Sequence, residues 1–182
     1  MRVAGGSARG KPLLSAKGKD LRPTSNKVRS AIFSVLDNVA KDWDRVLDLY
    51  AGTGALGIEA LSRGSERADF VERAVHNCEV IKKNLLSTGF YDRAKVYCRP
   101  LPQALKHLEG KYGVVLLDPP YDDSGVKDTL EGLLSLHLVD GTSTIVLEHS
   151  SRAKAPVIEG LDVLKVYTYG DTSVSIFVPG GI

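Results

Sequence analysis

Residues 45–50, an apolar run, lead without interruption into Ala51-Gly52-Thr53-Gly54-Ala55-Leu56-Gly57 and a helical stretch that Gly64 closes. A strand, a glycine turn and a helix in that order constrain the fold more than any other feature of the chain. Gly52 and Gly54 permit a tight turn with no Cβ between backbone and ligand, and the next helix offers free N–H groups at its positive end. The following strand ends at Glu72, twenty positions beyond Gly52, where a carboxylate can take both hydroxyls of a ribose. Taken singly, Glu72 is a solvated charge and Gly57 a helix-packing glycine. In this order, after successive strands, they point to a cofactor that contains a nucleoside.

The alternation continues. Strands are expected over 46–50, 69–72, 95–98, 114–117 and 144–148, and helices over 56–63, 75–87, 103–108 and 126–138. That order means an α/β fold of Rossmann-like type, a mostly parallel sheet with helices on both faces. Residues 161–169 and 172–178, joined by Gly170-Asp171, add a C-terminal antiparallel hairpin. Ahead of the sheet, residues 3–14 are expected as a β-hairpin. Val28, Ile32, Val35, Leu36 and Val39 then recur at helical spacing behind Thr24 and Ser25, which can cap. One domain over 1–182 is expected, with an arm over 1–23, an entry helix over 24–41 and a catalytic sheet over 45–178. Ligands of open sheets sit at the carboxyl ends of the strands, where Gly52, Glu72, Pro100 and Asp118 all fall.

After the strand over 114–117 comes Asp118-Pro119-Pro120-Tyr121. Proline lacks an N–H and fixes φ, so Pro119 and Pro120 offer carbonyl oxygens only, in a turn with little freedom. The residue before a proline is kept extended, so the strand runs straight into this lip. Asp118 can accept one N–H of an exocyclic amine while a proline carbonyl accepts the other, and Tyr121 can cover the ring. Such a sequence is also ordinary turn punctuation. Combined with the glycine turn, it makes a candidate catalytic lip.

A dinucleotide dehydrogenase would need a substrate domain with its own proton relay, for which 182 residues leave no room. Asp48, four residues before Gly52, with Tyr50 where a first glycine could sit, resembles the first motif of class I S-adenosylmethionine-dependent methyltransferases. Asp118 to Tyr121 is similar to the signature of those that methylate amino groups. Arg2 to Lys11, followed by Leu21-Arg22-Pro23-Thr24-Ser25-Asn26-Lys27-Val28-Arg29, narrows this further. From residue 2 to about residue 178 the chain resembles the RsmD family, bacterial methyltransferases of guanine N2 in small-subunit (16S) ribosomal RNA. The resemblance implies S-adenosylmethionine as cofactor, held by Asp48, Tyr50, Ala51, Gly52, Thr53, Gly54, Glu72, Arg73, Pro100, Leu101 and Asp118. It also implies catalysis by Asp118, Pro119, Pro120 and Tyr121. The chain departs from the family at Asn26 and Ser30, where acids are usual. It departs again at Pro100, where Asp or Asn commonly holds the adenine amino group; the backbone of Leu101 is left to meet the ring edge.

Charge is placed unevenly. Residues 1–29 hold eight Lys or Arg against one acid, so +7 of charge sits there and −5 in the remainder. A basic, glycine-bearing segment with no aromatic suits phosphate contacts, and Arg2, Arg9, Lys11, Arg22 and Arg29 are its expected RNA contacts. A merely solvated tail is the alternative. Cys78 and Cys98 lack metal or redox spacing and are expected as core thiols. The four histidines are scattered, and no metal is expected. Nothing resembles a membrane span or leader, so a soluble cytoplasmic protein is expected; a monomer is the expected oligomeric state.

The expected activity is methylation of a guanine N2 in ribosomal RNA, free or in a partly assembled small subunit. The same lip would hold adenine N6 in DNA or RNA, and a silent RNA-binding scaffold is the non-enzymatic alternative. Cofactor titration separates the last of these.

Overall fold

A computed structural model describes residues 1–15 and 26–180. Arg22 and the expected caps Thr24 and Ser25 lie outside the described residues. A helix α1 (Asn26–Val39) precedes β1 (Arg45–Leu49), α2 (Ala55–Arg63), β2 (Arg67–Glu72), α3 (Val75–Thr88) and β3 (Ala94–Cys98). Then come β4 (Val114–Leu117), α4 (Val126–Ser135), β5 (Thr144–Ser150), β6 (Leu161–Tyr169) and β7 (Thr172–Pro179). The seven strands form one sheet in the order β3-β2-β1-β4-β5-β7-β6. β1 to β5 are parallel, and β7 and β6 close the sheet antiparallel. The order reverses between β1 and β4, so a crevice opens above their carboxyl ends.

Side-chain alternation builds two cores. Val46, Phe70, Leu116 and Val146 face α1 and α2, while Leu47, Val71, Leu117 and Leu147 face α4. β1, β4 and most of β5 are buried on both faces, which is why their buried positions are apolar apart from Thr144 and the carboxylates Asp48 and Glu148 near the ends of β1 and β5. Gly57 permits the close seating of α2: a Cβ there would stand 2.3 Å from Cε1 of Phe70.

Three local expectations are corrected. The stretch 103–108 is a 3-10 helix, Gln103–His107. α4 stops at Ser135, and His137 turns the chain at φ 54°. The N-terminal segment is not a two-stranded hairpin; a single bridge joins Arg2 to Pro12. Its Val3, Ala8 and Leu13 are buried in the core on the α2 side, and Ser7 donates its N–H to Ser62 O at 2.7 Å. No helix among the described residues is long and apolar enough to cross a membrane.

Candidate active site

Three carboxylates gather at the crevice. Asp48, 1% exposed near the end of β1, accepts the N–H of Gly57 at 2.8 Å. Burial raises its pKa well above the usual carboxylate range against the opposing Gly57 N–H, and Asp118 and Glu72 nearby raise it further. Glu72, at the end of β2, accepts Gly52 N–H through Oε2 and Ala74 N–H through Oε1, both at 2.8 Å. One side chain thus ties the turn after β1 to the turn after β2. Each of its oxygens keeps a second acceptor direction.

The glycine turn is held from both sides. Tyr50 adopts the left-handed region at φ 58°, and its hydroxyl lies 3.3 Å from Thr129 Oγ1 on α4. Gly52 and Gly54 follow at φ 56° and 77°. Ala51 donates to Val71 O at 3.0 Å. Thr53 O accepts from Asn84 Nδ2 at 2.9 Å, and the same fully buried amide binds both the N–H and the carbonyl of Leu14. Sequence reasoning missed Asn84. Its only signal was an amide among the apolar positions Ile81 and Leu85 of a helix.

Along the rim, Arg73 and Pro100 are exposed and Leu101 is half-buried. Pro100 spends its carbonyl on Ala104 N–H at 2.9 Å. Cys78 and Cys98 are not separate core thiols: they are joined as a disulfide, with Cα atoms 6.0 Å apart, between α3 and the end of β3. Their pairing escaped the sequence because only the fold brings α3 over β3.

In the lip, Asp118 is half-buried, Pro119 buried and Pro120 exposed. Pro120 O is taken by Asp123 N–H at 3.0 Å. Tyr121, 43% exposed, is fixed by its hydroxyl at 2.8 Å from Thr172 Oγ1. Beside the lip lies a cavity of about 240 Å³ whose walls include Pro119, Pro120, Tyr121, Leu147, Glu148 and His149. His149 is anchored by Ser175 Oγ at 2.8 Å and Ser150 O at 3.0 Å.

Of the basic residues, Arg2, Arg9 and Lys11 are on the surface. Arg2 donates to Gly10 O and Lys11 to Thr88 O, at 2.8 and 3.1 Å. Arg29 departs from expectation. It is 1% exposed, donates to Arg2 O and pairs with Glu59 at 3.6 Å, so it holds the arm and does not face a solvent-borne partner.

The switch-point crevice, the glycine turn with its strand-end acid and the Asp-Pro-Pro-Tyr lip together define a class I methyltransferase fold. The solved structure described as "Putative methyltransferase yhhF from Escherichia coli" superposes on 98% of this chain and 97% of its own at a TM-score of 0.84, with 24% identity, a likeness of fold. The family model described as conserved hypothetical protein 95 matches residues 1–178, and the chain belongs to that family, the RsmD family. The Bacillus subtilis protein "Putative rRNA methyltransferase YlbH" is 37% identical over 186 residues, covering 100% of both chains. Ribosomal RNA small subunit methyltransferase D of Escherichia coli K12 is 33% identical over 130 residues, 71% of this chain and 65% of its own.

Proposed function

We propose that this protein transfers a methyl group from S-adenosylmethionine to the exocyclic N2 of a guanine in small-subunit ribosomal RNA. The observation that carries the reading is the placement of Asp118 and Pro119 at the end of β4, across the switch point from the Glu72-bound glycine turn.

The residues fit the cofactor. Glu72 has acceptor capacity for the two ribose hydroxyls, Gly52 and Gly54 carry no side chain in the turn, and the Glu72 and Asp118 carboxylates give a field that favours a cation. When bound, the cofactor supplies an electrophilic methyl on a positive sulfur. The amine-holding pair is Asp118 and Pro119 O, the first acceptors after the end of β4. They accept the two N–H groups and leave the nitrogen lone pair facing the cofactor crevice. The guanine amine is conjugated and weakly nucleophilic, so alignment and stabilisation of its growing positive charge are what the protein contributes. Transfer would form the C–N bond and break the C–S bond, leaving S-adenosylhomocysteine, while Asp118 and Pro119 O hold the amine until its surplus proton passes to water. Tyr121 covers the face of a base that has left its stack.

Mass mapping of ribosomal RNA from a strain lacking the protein, with transfer of labelled methyl by purified protein to that RNA, tests the reading. The expected result is one guanine that loses a single N2 methyl and regains it in vitro. An unchanged modification map, or transfer to an adenine, would overturn it.

A further inference from the structure

If the lip takes a guanine amine, as proposed above, something must distinguish guanine from the other bases with an exocyclic amine. β4 and β5 run parallel with Leu117 opposite Leu147. Asp118, one step beyond β4, and Glu148 come next, and continuing the parallel register puts their backbones beside each other at roughly the 4.8 Å spacing of neighbouring strands. Leu117 and Leu147 both pack on the α4 side, whereas Leu116 and Val146 face the other core. Alternation sends Asp118 and Glu148 to that same second face. Glu148 is 6% exposed and lines the cavity next to the lip. That cavity, of about 240 Å³, is walled by the lip residues Pro119 to Tyr121, by Val126 and Lys127 of α4 and by Glu148, and Asp118 adjoins it through Pro119.

Two carboxylates side by side impose a chemical condition on the ring. The acceptor at Asp118 takes the amine; an acceptor beside it needs a donor on the adjoining ring atom. Adenine N6 is flanked by the unprotonated N1, and cytosine N4 by the unprotonated N3. Each would turn a lone pair toward the second carboxylate. Guanine N2 is flanked by N1–H, so guanine alone among the exocyclic base amines satisfies both. We propose that Glu148 is the residue that selects guanine, by accepting N1–H while Asp118 and Pro119 hold N2. The discrimination is repulsive as well as attractive: the wrong base brings an acceptor against a buried acceptor.

The test uses fragments of small-subunit ribosomal RNA with guanine or 2-aminopurine at the mapped nucleotide. 2-Aminopurine keeps the N2 amine but has an unprotonated N1. The unaltered protein is expected to favour guanine in kcat/KM by roughly 10- to 100-fold, the scale of one base-edge contact. Glu148→Gln presents an amide N–H to N1. It should lower the rate on guanine, raise it on 2-aminopurine and bring the ratio to about one or below, with S-adenosylmethionine affinity by calorimetry unchanged. A guanine to 2-aminopurine ratio that Glu148→Gln leaves alone, with both rates falling together, would overturn the inference and leave Glu148 structural. If Glu148→Gln does not bind the cofactor, Glu148→Ala decides by the same ratio, since it removes the repulsion without adding a donor. No transfer to the guanine fragment by the unaltered protein would instead overturn the proposed function, and this inference with it.

Discussion

Asp118 has one task in the proposed chemistry, aiming and stabilising the amine, while the glycine turn is held by Glu72 and Asn84. Asp118→Ala is therefore expected to keep S-adenosylmethionine affinity nearly intact while the single-turnover methylation rate falls by about 10²-fold or more, as when one preorganised electrostatic partner is removed. Full activity in that variant would remove the lip from the mechanism. Tyr121 carries a cost its sequence did not announce, because its hydroxyl is bonded to Thr172 on β7. Tyr121→Phe loses that bond, about 1 kcal/mol in holding the ring still. Tyr121→Ala also loses the stacking surface and should be the slower variant in the same assay.

At the scale of elements, the N-terminal segment is part of the α2 core and not a tail. Ala4 donates its N–H to Glu59, Ala8 to the Ser62 hydroxyl, and Gly6 lies so close to Ser62 O that a Cβ would overlap it. Cutting residues 1–14 away would uncover buried apolar surface, so charge substitution is the cleaner probe. Replacing Arg2, Arg9 and Lys11 with Ala is expected to flatten the salt dependence of RNA binding, by roughly 0.7 to 0.9 in log–log slope for each phosphate these side chains neutralise, leaving cofactor binding unchanged. A slope equal to that of the unaltered chain would mean that these three meet no phosphate. The same segment shows where the sequence was legible and where it was not. The alternation of strands and helices, the order of the acids along the crevice and the terminal hairpin follow from local periodicity and turn chemistry, which neighbouring residues alone determine. Arg29 was misjudged because a basic residue in a basic run looks solvated until Glu59, thirty positions on, closes over it. Asn84 and the Cys78–Cys98 pair were illegible for the same reason: each matters through a partner from another element.

The whole molecule carries a charge conflict at its centre. Asp48 is buried at the end of the sheet's middle, near two other acids, and its carboxyl pKa is held well above its ordinary value near 4, chiefly by burial. A carboxyl raised on folding costs nothing below about pH 4, where it is protonated folded or unfolded. Its contribution to stability is lost as pH rises through the folded value. Asp48→Asn keeps an oxygen for Gly57 N–H and removes the charge. It should gain in melting temperature relative to the native chain as pH rises from about 4 to 8, and lose affinity for the cationic cofactor. Calorimetric scans across that range, with and without S-adenosylmethionine, check both; parallel pH curves would show that Asp48 is not the group responsible. The strand order has a consequence of another kind. β1 to β3, with the glycine turn and Glu72, come off the ribosome together and can pair among themselves, but Val46 must wait for Val114 before β4 docks against β1. Closing so long a loop is slow, and it is the step that brings the lip beside the turn. The crevice is thus acquired only after the chain has passed Asp118, and a shorter nascent chain has the glycine turn but nothing with which to grip a base.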